Sequence, residues 1–434
     1  MKIVLLETRL KNSTMIYKDF AGGLGPGFSV GRSIFSKAIE FSKRKGVNLC
    51  IPTLGYLNAI FKKNGHLVEY KINEVNDADL VIIPSSLVEH NFEIETARKI
   101  KSKGRARVGF IGPFSATFPD KFLEASDFII KGEPEFIANR ISEDWIPEGV
   151  VESKDISNLD ELPFPDWDIF PVDKSSYFPS LNVKPVLPIL SSRGCPYKCN
   201  YCPYLIQYKN WRIRSAENVL SEIEYLVTNY KIKGLVFRDP IFSFPMERAE
   251  KIAEGLIRKK IKIKFACETR LDCLTVPLLD IMYDGGLRTI NVGIESLNKE
   301  LLTKSSRKVI DYSHQEEIIT YCDKKGINVT AFYILGWPDE TLESAMETIR
   351  YAKKLNTNVA SFTIYTPFPG TVVFEQLKDK FITEDLTKFD AHNLVFKHKN
   401  FSPEALFNIK EKAYISYYFR PKYLIKFVQR LLRK

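Results

Sequence analysis

The sequence predicts an α/β protein: a doubly wound, Rossmann-like domain, then a partial (βα)6 barrel, then a helical tail. Three observations predict it. Apolar runs of strand length alternate with amphipathic helical stretches, the pattern of parallel sheets covered on both faces. The alternation comes in two series, separated by a stretch that holds Pro147, Pro163, Pro165, Pro171, Pro179, Pro185 and Pro188. Residues 402–434 read as helical and basic. The expected boundaries are 1–145 for the first domain, 146–185 for a linker, 186–380 for the barrel and 381–434 for the helical region.

In chain order, KIVLL (residues 2–6) reads as a buried first strand. GGLGPGF (22–28) is glycine-rich, but it lacks the GxGxxG spacing and no strand leads into it, so it reads as a plain loop. TLGYLNAIFKKNGH (53–66) is helical, with Gly65 as its stop. LVEYKI, ADLVIIPSS, RVGFIGP and DFIIK read as strands, with helices over 91–103 and 120–125. In doubly wound folds ligands bind beyond the carboxyl ends of the strands. Here those ends carry Pro84–Ser85–Ser86, Gly112–Pro113 and Gly132–Glu133. The linker reads as extended, pinned to a surface by Phe164, Trp167 and Phe170. Strands over 186–194, 234–240, 263–270, 289–296, 327–338 and 360–370 then alternate with helices over 216–230, 246–260, 276–284, 313–325 and 340–355. These units predict an open parallel barrel whose site lies at the carboxyl ends of its strands.

Hydrophobic content of 44% is that of a folded globular chain. No run of eighteen apolar residues exists, so no transmembrane helix is expected. MKIVLLETRL is apolar too briefly for a signal peptide. Seven cysteines, an odd number, argue against a disulfide framework and for a reducing cytoplasm. A net charge of +10 leaves two readings open, an anionic partner or a lysine-rich surface. No specific nucleic acid partner is expected. The apolar Leu424, Phe427, Val428, Leu431 and Leu432 stand among Lys426, Arg430, Arg433 and Lys434. This is a basic amphipathic helix, which packs back on the body or makes a peripheral membrane contact.

SRGCPYKCNYC places Cys195, Cys199 and Cys202 on the loop after the first barrel strand. Buried structural cysteines do not explain three so close together. Structural zinc wants four ligands, and no second pair follows, since Cys267 and Cys273 lie on and after another strand. A disulfide would strand one cysteine. Three thiolates suit an iron–sulfur cube with one iron left open for a ligand. Gly194 allows the turn, Pro196 keeps the loop from becoming helix, and Tyr201 is placed to pack on a cofactor. Cys50, Cys267, Cys273 and Cys322 are expected to be structural. His314, His392 and His398 are expected to be surface or capping residues.

CxxxCxxC with an aromatic before the last cysteine, after strand one of a βα barrel, resembles the radical S-adenosylmethionine (SAM) enzyme family. The resemblance implies a 4Fe–4S cluster on the three cysteines and SAM on the open iron. It implies cleavage of SAM by one electron from a flavodoxin- or ferredoxin-type reductant, giving a 5′-deoxyadenosyl radical. It also nominates SAM contacts along the barrel. FRDPIF offers Asp239, although the family's Gly-Gly-Glu form is missing. CETRLD offers Glu268 and Arg270, which i, i+2 spacing puts on one strand face; a salt bridge between them is the other reading. NVGIES offers Glu295 and Ser296. FYILGWPDET offers Ile334 and Gly336, with Phe332 in place of a glycine and Asp339 where the family has glutamate. TPFPGT (366–371) is typical of one subgroup.

The first domain and LDELPFPDW resemble the cobalamin-binding arrangement of that subgroup, so the strand-end residues Pro84, Ser85, Ser86, Gly112, Pro113, Gly132 and Glu133 become candidate cobalamin contacts. The DxHxxG loop is absent; the only DxH is Asp390–Ala391–His392, outside that domain. A cofactor-free Rossmann-like domain is the alternative. The expected function is cobalamin-dependent methylation of an unactivated carbon of a small-molecule, lipid or sugar substrate. The alternatives are a non-methylating radical rearrangement or cyclisation, and a non-enzymatic basic metal-binding protein.

Overall fold

Two six-stranded sheets, each parallel throughout, organise the chain. The computed structural model describes residues 1–104 and 106–432. Of the basic tail, the side chains of Arg430, Leu431 and Leu432, and the whole of Arg433 and Lys434, lie outside the described residues.

The first sheet contains β1 (Lys2–Glu7), β2 (Leu67–Ile72), β3 (Leu80–Pro84), β4 (Arg107–Ile111), β5 (Phe128–Lys131) and β6 (Gly149–Glu152), in the spatial order β2-β1-β3-β4-β5-β6. The chain steps from β1 to one side and returns to the other side at β3. The topological switch point, where doubly wound folds bind ligands, therefore lies between the carboxyl ends of β1 and β3. The central strands are apolar on both faces; Leu80, Val81 and Ile83 of β3 are fully buried. Helices α1 (Ile34–Gly46), α2 (Pro52–Lys63), α3 (His90–Ser102), α4 (Pro113–Thr117) and α5 (Pro134–Ala138) accompany it. α1 starts where Ser33 accepts a hydrogen bond from Ser36 N, an N-cap that the motif search passed over.

One expectation changes here. Residues 149–152, read as part of an extended linker, pair with Phe128–Lys131 as the sixth strand of the first sheet. Val150 and Val151 favour a strand, and the flanking prolines hid so short a run. The GGLGPGF loop closes on itself: Gly22, Gly23 and Gly25 have φ of 67°, 93° and 59°, where a glycine is favoured.

The proline-rich stretch is stapled to both halves. Trp167 is fully buried against Gly55 of α2, where a Cβ would meet the indole at 2.7 Å. Lys62 of α2 reaches Asp166 at 2.7 Å and Asp168 at 2.6 Å. From the barrel side, the Tyr230 hydroxyl donates to Asp166 at 3.0 Å.

The second sheet contains β7 (Val186–Ile189), β8 (Gly234–Phe237), β9 (Lys264–Thr269), β10 (Leu287–Glu295), β11 (Asn328–Leu335) and β12 (Val359–Ile364), laid side by side in that order. β7 and β12 are not paired, so the barrel is open. Helices α6 (Ala216–Tyr230), α7 (Met246–Arg258), α8 (Val276–Asp284), α9 (Tyr312–Lys325) and α10 (Leu342–Leu355) form its outer layer. Local chemistry sets their ends. Ser215, Thr275, Asp311 and Thr341 cap the starts of α6, α8, α9 and α10 through their side-chain oxygens. Gly326 and Asn356 end α9 and α10 in the left-handed region.

The tail forms α11 (Pro403–Tyr418) and α12 (Pro421–Leu432). α11 covers the free edge of β12. The Tyr414 hydroxyl accepts from Phe362 N at 3.1 Å, and the Tyr418 hydroxyl accepts from Ala360 N at 3.1 Å. Those edge donors would otherwise be unpaired. No described helix is long and apolar enough to cross a membrane.

Candidate functional site at the carboxyl ends of the barrel strands

The cysteine loop leaves β7 through Ser192–Arg193, which pair antiparallel with Arg212–Ile213. Gly194 follows at φ 74°, and a Cβ there would meet Asn210 O at 2.3 Å. Only glycine satisfies both the turn and the approach. All three thiols are free. Burial pushes the Cys195 thiol up and the Cys202 thiol up to about 12, and neighbouring thiols add to both shifts. Among the described residues no three His, Cys, Asp or Glu side chains converge closely enough to hold a single metal ion.

Three residues expected at the site gather round this loop. Tyr201 packs edge-on against Trp337, 5.1 Å between ring centroids, with its buried hydroxyl lacking a hydrogen-bond partner in the structure. Arg270 lies 4.3 Å above the Tyr197 ring and donates to Asp272 at 2.9 Å, while its Nη1 is buried and unpartnered. Glu295 sits at φ 67°; burial raises its carboxyl and Arg307 and Arg270 lower it. Arg307, which sequence reasoning missed, bridges them: its guanidinium lies 3.4 Å from Glu295, bonds to Gly293 O and touches the Cys199 thiol. The orphaned Tyr201 Oη and Arg270 Nη1 beside three free thiols fit a polar cofactor.

Glu268 lies in a second group. It accepts from the Tyr204 hydroxyl at 2.9 Å and pairs with Arg238, which also donates to Asp19 at 2.9 Å. Glu268 and Arg270 do not pair with each other among the described residues, because β9 ends at Thr269 and Arg270 starts the next turn. Within FRDPIF it is Arg238, not Asp239, that reaches this group. Asp239 is fully buried and accepts from Ser191 at 3.1 Å and Ser192 at 2.5 Å, so its carboxylate braces the approach to the cysteine loop. Ser296 is likewise engaged, accepting from Asn298 N at 3.1 Å.

At the end of β11, Ile334 O accepts from the Trp337 indole at 3.0 Å. Gly336 has φ 79° and donates its N–H to Glu340 at 2.5 Å. The buried acid of this turn is therefore Glu340, with its carboxyl raised to about 8 by burial, and not the exposed Asp339.

The strand-end residues of the first sheet divide in two. Pro84, Ser85, Gly112 and Pro113 line a cleft of about 50 Å³ against Gln207 and Tyr208 from the barrel side. Gln207 Oε1 is buried and unpartnered, and its amide donates to Gly132 O at 2.7 Å. Ser86 does not face the cleft; it is held by Glu93 at 2.6 Å. Glu133 is also engaged elsewhere. It joins Glu135 in clamping Arg193, at 2.7 and 2.6 Å, and it pairs with Arg212 as well. Ser86 and Glu133, expected as cobalamin contacts, are thus both engaged within the protein.

Lys18 and the Gly22–Gly23 turn cover the switch point. The Lys18 ammonium donates to Thr8 at 2.7 Å, Pro84 O at 3.0 Å and Glu93 at 2.5 Å. The four remaining cysteines are buried, as expected of structural ones. His314, His392 and His398 each bond a backbone carbonyl, of Leu271, Gly27 and Trp337. They tie loops, although His392 and His398 are buried and not on the surface.

The sequence profile of the Radical SAM superfamily matches residues 189–370, the segment that carries the cysteine loop and the barrel. An uncharacterized methyltransferase of Pyrococcus horikoshii, PH0819, is 34% identical over 274 residues, which is 62% of this chain and 59% of that protein. The chain spans about half to three-fifths of the length of the first curated relatives it matches. The cobalamin-dependent radical enzyme OxsB, solved with aqua-cobalamin and SAM, superposes with a TM-score of 0.69 at 15% identity, over 99% of this chain and 68% of that one. The radical SAM methyltransferase TsrM of Kitasatospora setae, solved with cobalamin and a [4Fe-4S] cluster, gives 0.60 at 16% identity, over 87% of this chain and 78% of that one. At these identities the superpositions establish a shared fold, the doubly wound sheet followed by the open barrel. Residues 189–370, with the cysteine loop in its place on that fold, match the radical SAM superfamily.

Proposed function

We propose that the chain is a cobalamin-dependent radical SAM enzyme that methylates an unactivated carbon of a small-molecule, lipid or sugar substrate. One observation carries the reading: three free thiols at the carboxyl end of an open parallel barrel, beside a cleft lined by the strand ends of a doubly wound sheet. In this reading Cys195, Cys199 and Cys202 hold a 4Fe–4S cluster, and SAM lies against Tyr201, Arg270, Glu295, Ile334 and Gly336. Glu268 binds SAM only by giving up part of its pairing with Arg238. Pro84, Ser85, Gly112, Pro113 and Gly132 border the cobalamin. The cluster and SAM would supply a 5′-deoxyadenosyl radical and cobalamin a transferable methyl group, so the cofactors carry the hard chemistry.

The residues have other tasks. Arg307 touches the Cys199 sulfur and holds the Glu295 carboxylate. Arg270 offers an unpaired donor to a carboxylate, in keeping with the bidentate chemistry of guanidinium groups. Trp337 and Tyr201 keep water from the loop. A radical SAM enzyme acts on a substrate and requires a one-electron reductant; the reading assigns that role to a flavodoxin- or ferredoxin-type protein and places the chain in the cytoplasm.

A second reading, a rearrangement or cyclisation without cobalamin, is favoured by the narrowness of the cleft and the turn that covers it. Product mass separates the two. Protein purified without oxygen and reconstituted with iron and sulfide should be brown and cleave SAM. Its product should be heavier than the substrate by one methyl group, and only when cobalamin is supplied. An unmethylated product formed equally well without cobalamin overturns the first reading in favour of the second. A colourless protein that holds zinc and no iron overturns both.

A further inference from the structure

Because the barrel strands are parallel, their amino ends all lie on one face, opposite the cysteine loop. That face is mainly basic. A groove there is lined by Lys233, Lys260, Lys262, Lys264 and Arg288, with Asp284 the single acid among its lining residues. The four lysines are exposed and make no ion pair among the described residues. Val183 joins the groove to a second hollow that holds Lys45 and Lys184.

The same end of the barrel carries α12. The Tyr423 hydroxyl donates to Asn358 O at 2.9 Å and the Lys426 ammonium to Asn356 O at 2.8 Å, just before β12 begins. Lys426 also reaches Asp323 at 2.7 Å, so this cation faces the body and is not part of a free basic stripe. Among the described residues nothing covers the apolar side of α12: Leu424, Ile425, Phe427 and Val428 are 46%, 59%, 46% and 52% exposed. Around the same end Phe41, Phe178 and Ile257 are exposed as well. α12 contains no acidic residue, and the one acid of α1, Glu40, is buried.

We propose that this face docks on an anionic lipid bilayer, with α12 lying in the headgroup–acyl boundary and the groove lysines on lipid phosphates. An unpartnered apolar helix face beside a positive field is the composition of an interfacial helix. A nucleic acid backbone would use the cations but gain nothing from Leu424, Ile425 and Val428. A protein core would have covered them. The docking is independent of the methyl-transfer reading, so failure of either leaves the other standing.

The test is flotation of the full-length protein with phosphatidylcholine vesicles, with and without phosphatidylglycerol, at low and high salt. The wild type should float with the anionic vesicles only and be released by salt. Phe427→Glu/Val428→Glu and Lys260→Glu/Lys262→Glu, placed on separate segments, should each weaken binding at least about tenfold, as expected for about 1 kcal/mol per interfacial cation. Their melting temperatures should match the wild type. Three results overturn the proposal: no flotation of the wild type, flotation equal on neutral vesicles, or a dimer in light scattering that Phe427→Glu/Val428→Glu dissolves. The last would mean that a second copy covers α12.

Discussion

Arg193 is 1% exposed at its side chain and stands two residues before Cys195, with Glu133 and Glu135 of the first domain closed round it. It lies 5.2 and 5.1 Å from the rings of Tyr56 and Tyr208. A fully buried cation with two carboxylates is tolerable only while all partners stay, and removing one partner of such a set costs about 3–5 kcal/mol. Glu135→Ala should therefore lower unfolding stability by that amount in denaturant titration, whereas Glu69→Ala at an exposed pair should cost under about 1 kcal/mol. Gly194→Ala adds backbone strain of about 1–2 kcal/mol at positive φ and a collision with Asn210 O. It should reduce iron retained after reconstitution more than it lowers the melting temperature, since it displaces the loop and not the core. The cysteines were legible in the sequence because their constellation is local. Arg193, Arg238 and Arg307 were not, because their partners lie as far as 219 residues away and a lone arginine has no pattern. Glu133 misled for the same reason: its place at a strand end is visible, but its pairing with Arg193, 60 residues on, is not.

The elements were more legible than their edges. The helix over 276–284 and the long amphipathic helices before it follow from periodicity and capping, which are local. β6 and α1 were missed because one is four residues long and the other follows a glycine-rich loop and buries only Ser36, Glu40 and Gly46. The turn between β11 and α10 shows how an element's end gains a pH response. Glu340 spans it, accepting from Gly336 N, with its other oxygen buried and unpartnered. Burial raises this carboxyl to about 8 from 4.5, so the folded state holds the proton more tightly than the unfolded chain. The stability linked to that proton is fully present below about pH 4.5 and is lost as pH rises to about 8, at about 1.4 kcal/mol per pH unit at most. Glu340→Gln cannot ionise. Its melting temperature should exceed that of the wild type by a margin that grows from pH 5 to pH 8 and then levels off. A margin that does not change with pH would mean that Glu340 is already ionised in the fold.

At the scale of the whole molecule, the two sheets meet across a cleft that one short segment closes. Lys18 fills the switch point between β1 and β3. Asp19 latches onto Arg238 of the barrel, whose guanidinium also holds Glu268. Leu24 O accepts from Leu87 N at 2.6 Å. The cleft beneath has about 50 Å³, well below the roughly 300–1,000 Å³ that drug-sized ligands fill. Cobalamin is larger than those ligands, so in the proposed function residues 18–25 have to withdraw before it binds. The binding-competent state is then a minor one, and its population discounts the apparent affinity. Asp19→Asn keeps the shape, leaves Arg238 its bond to Glu268 and weakens the latch by about 1.5–3 kcal/mol, the worth of a charged hydrogen bond. It should tighten the apparent Kd for hydroxocobalamin at least about tenfold, with the melting temperature of the free protein lowered by a few degrees. Hydrogen exchange of the full chain should in turn show Gly25 N–H and Leu87 N–H losing protection when hydroxocobalamin is added. If Asp19→Asn binds no tighter and those amides keep their protection at saturating cobalamin, the segment is not a gate. If neither protein binds cobalamin at all, the first sheet is a cofactor-free platform, and the radical chemistry proceeds without methyl transfer.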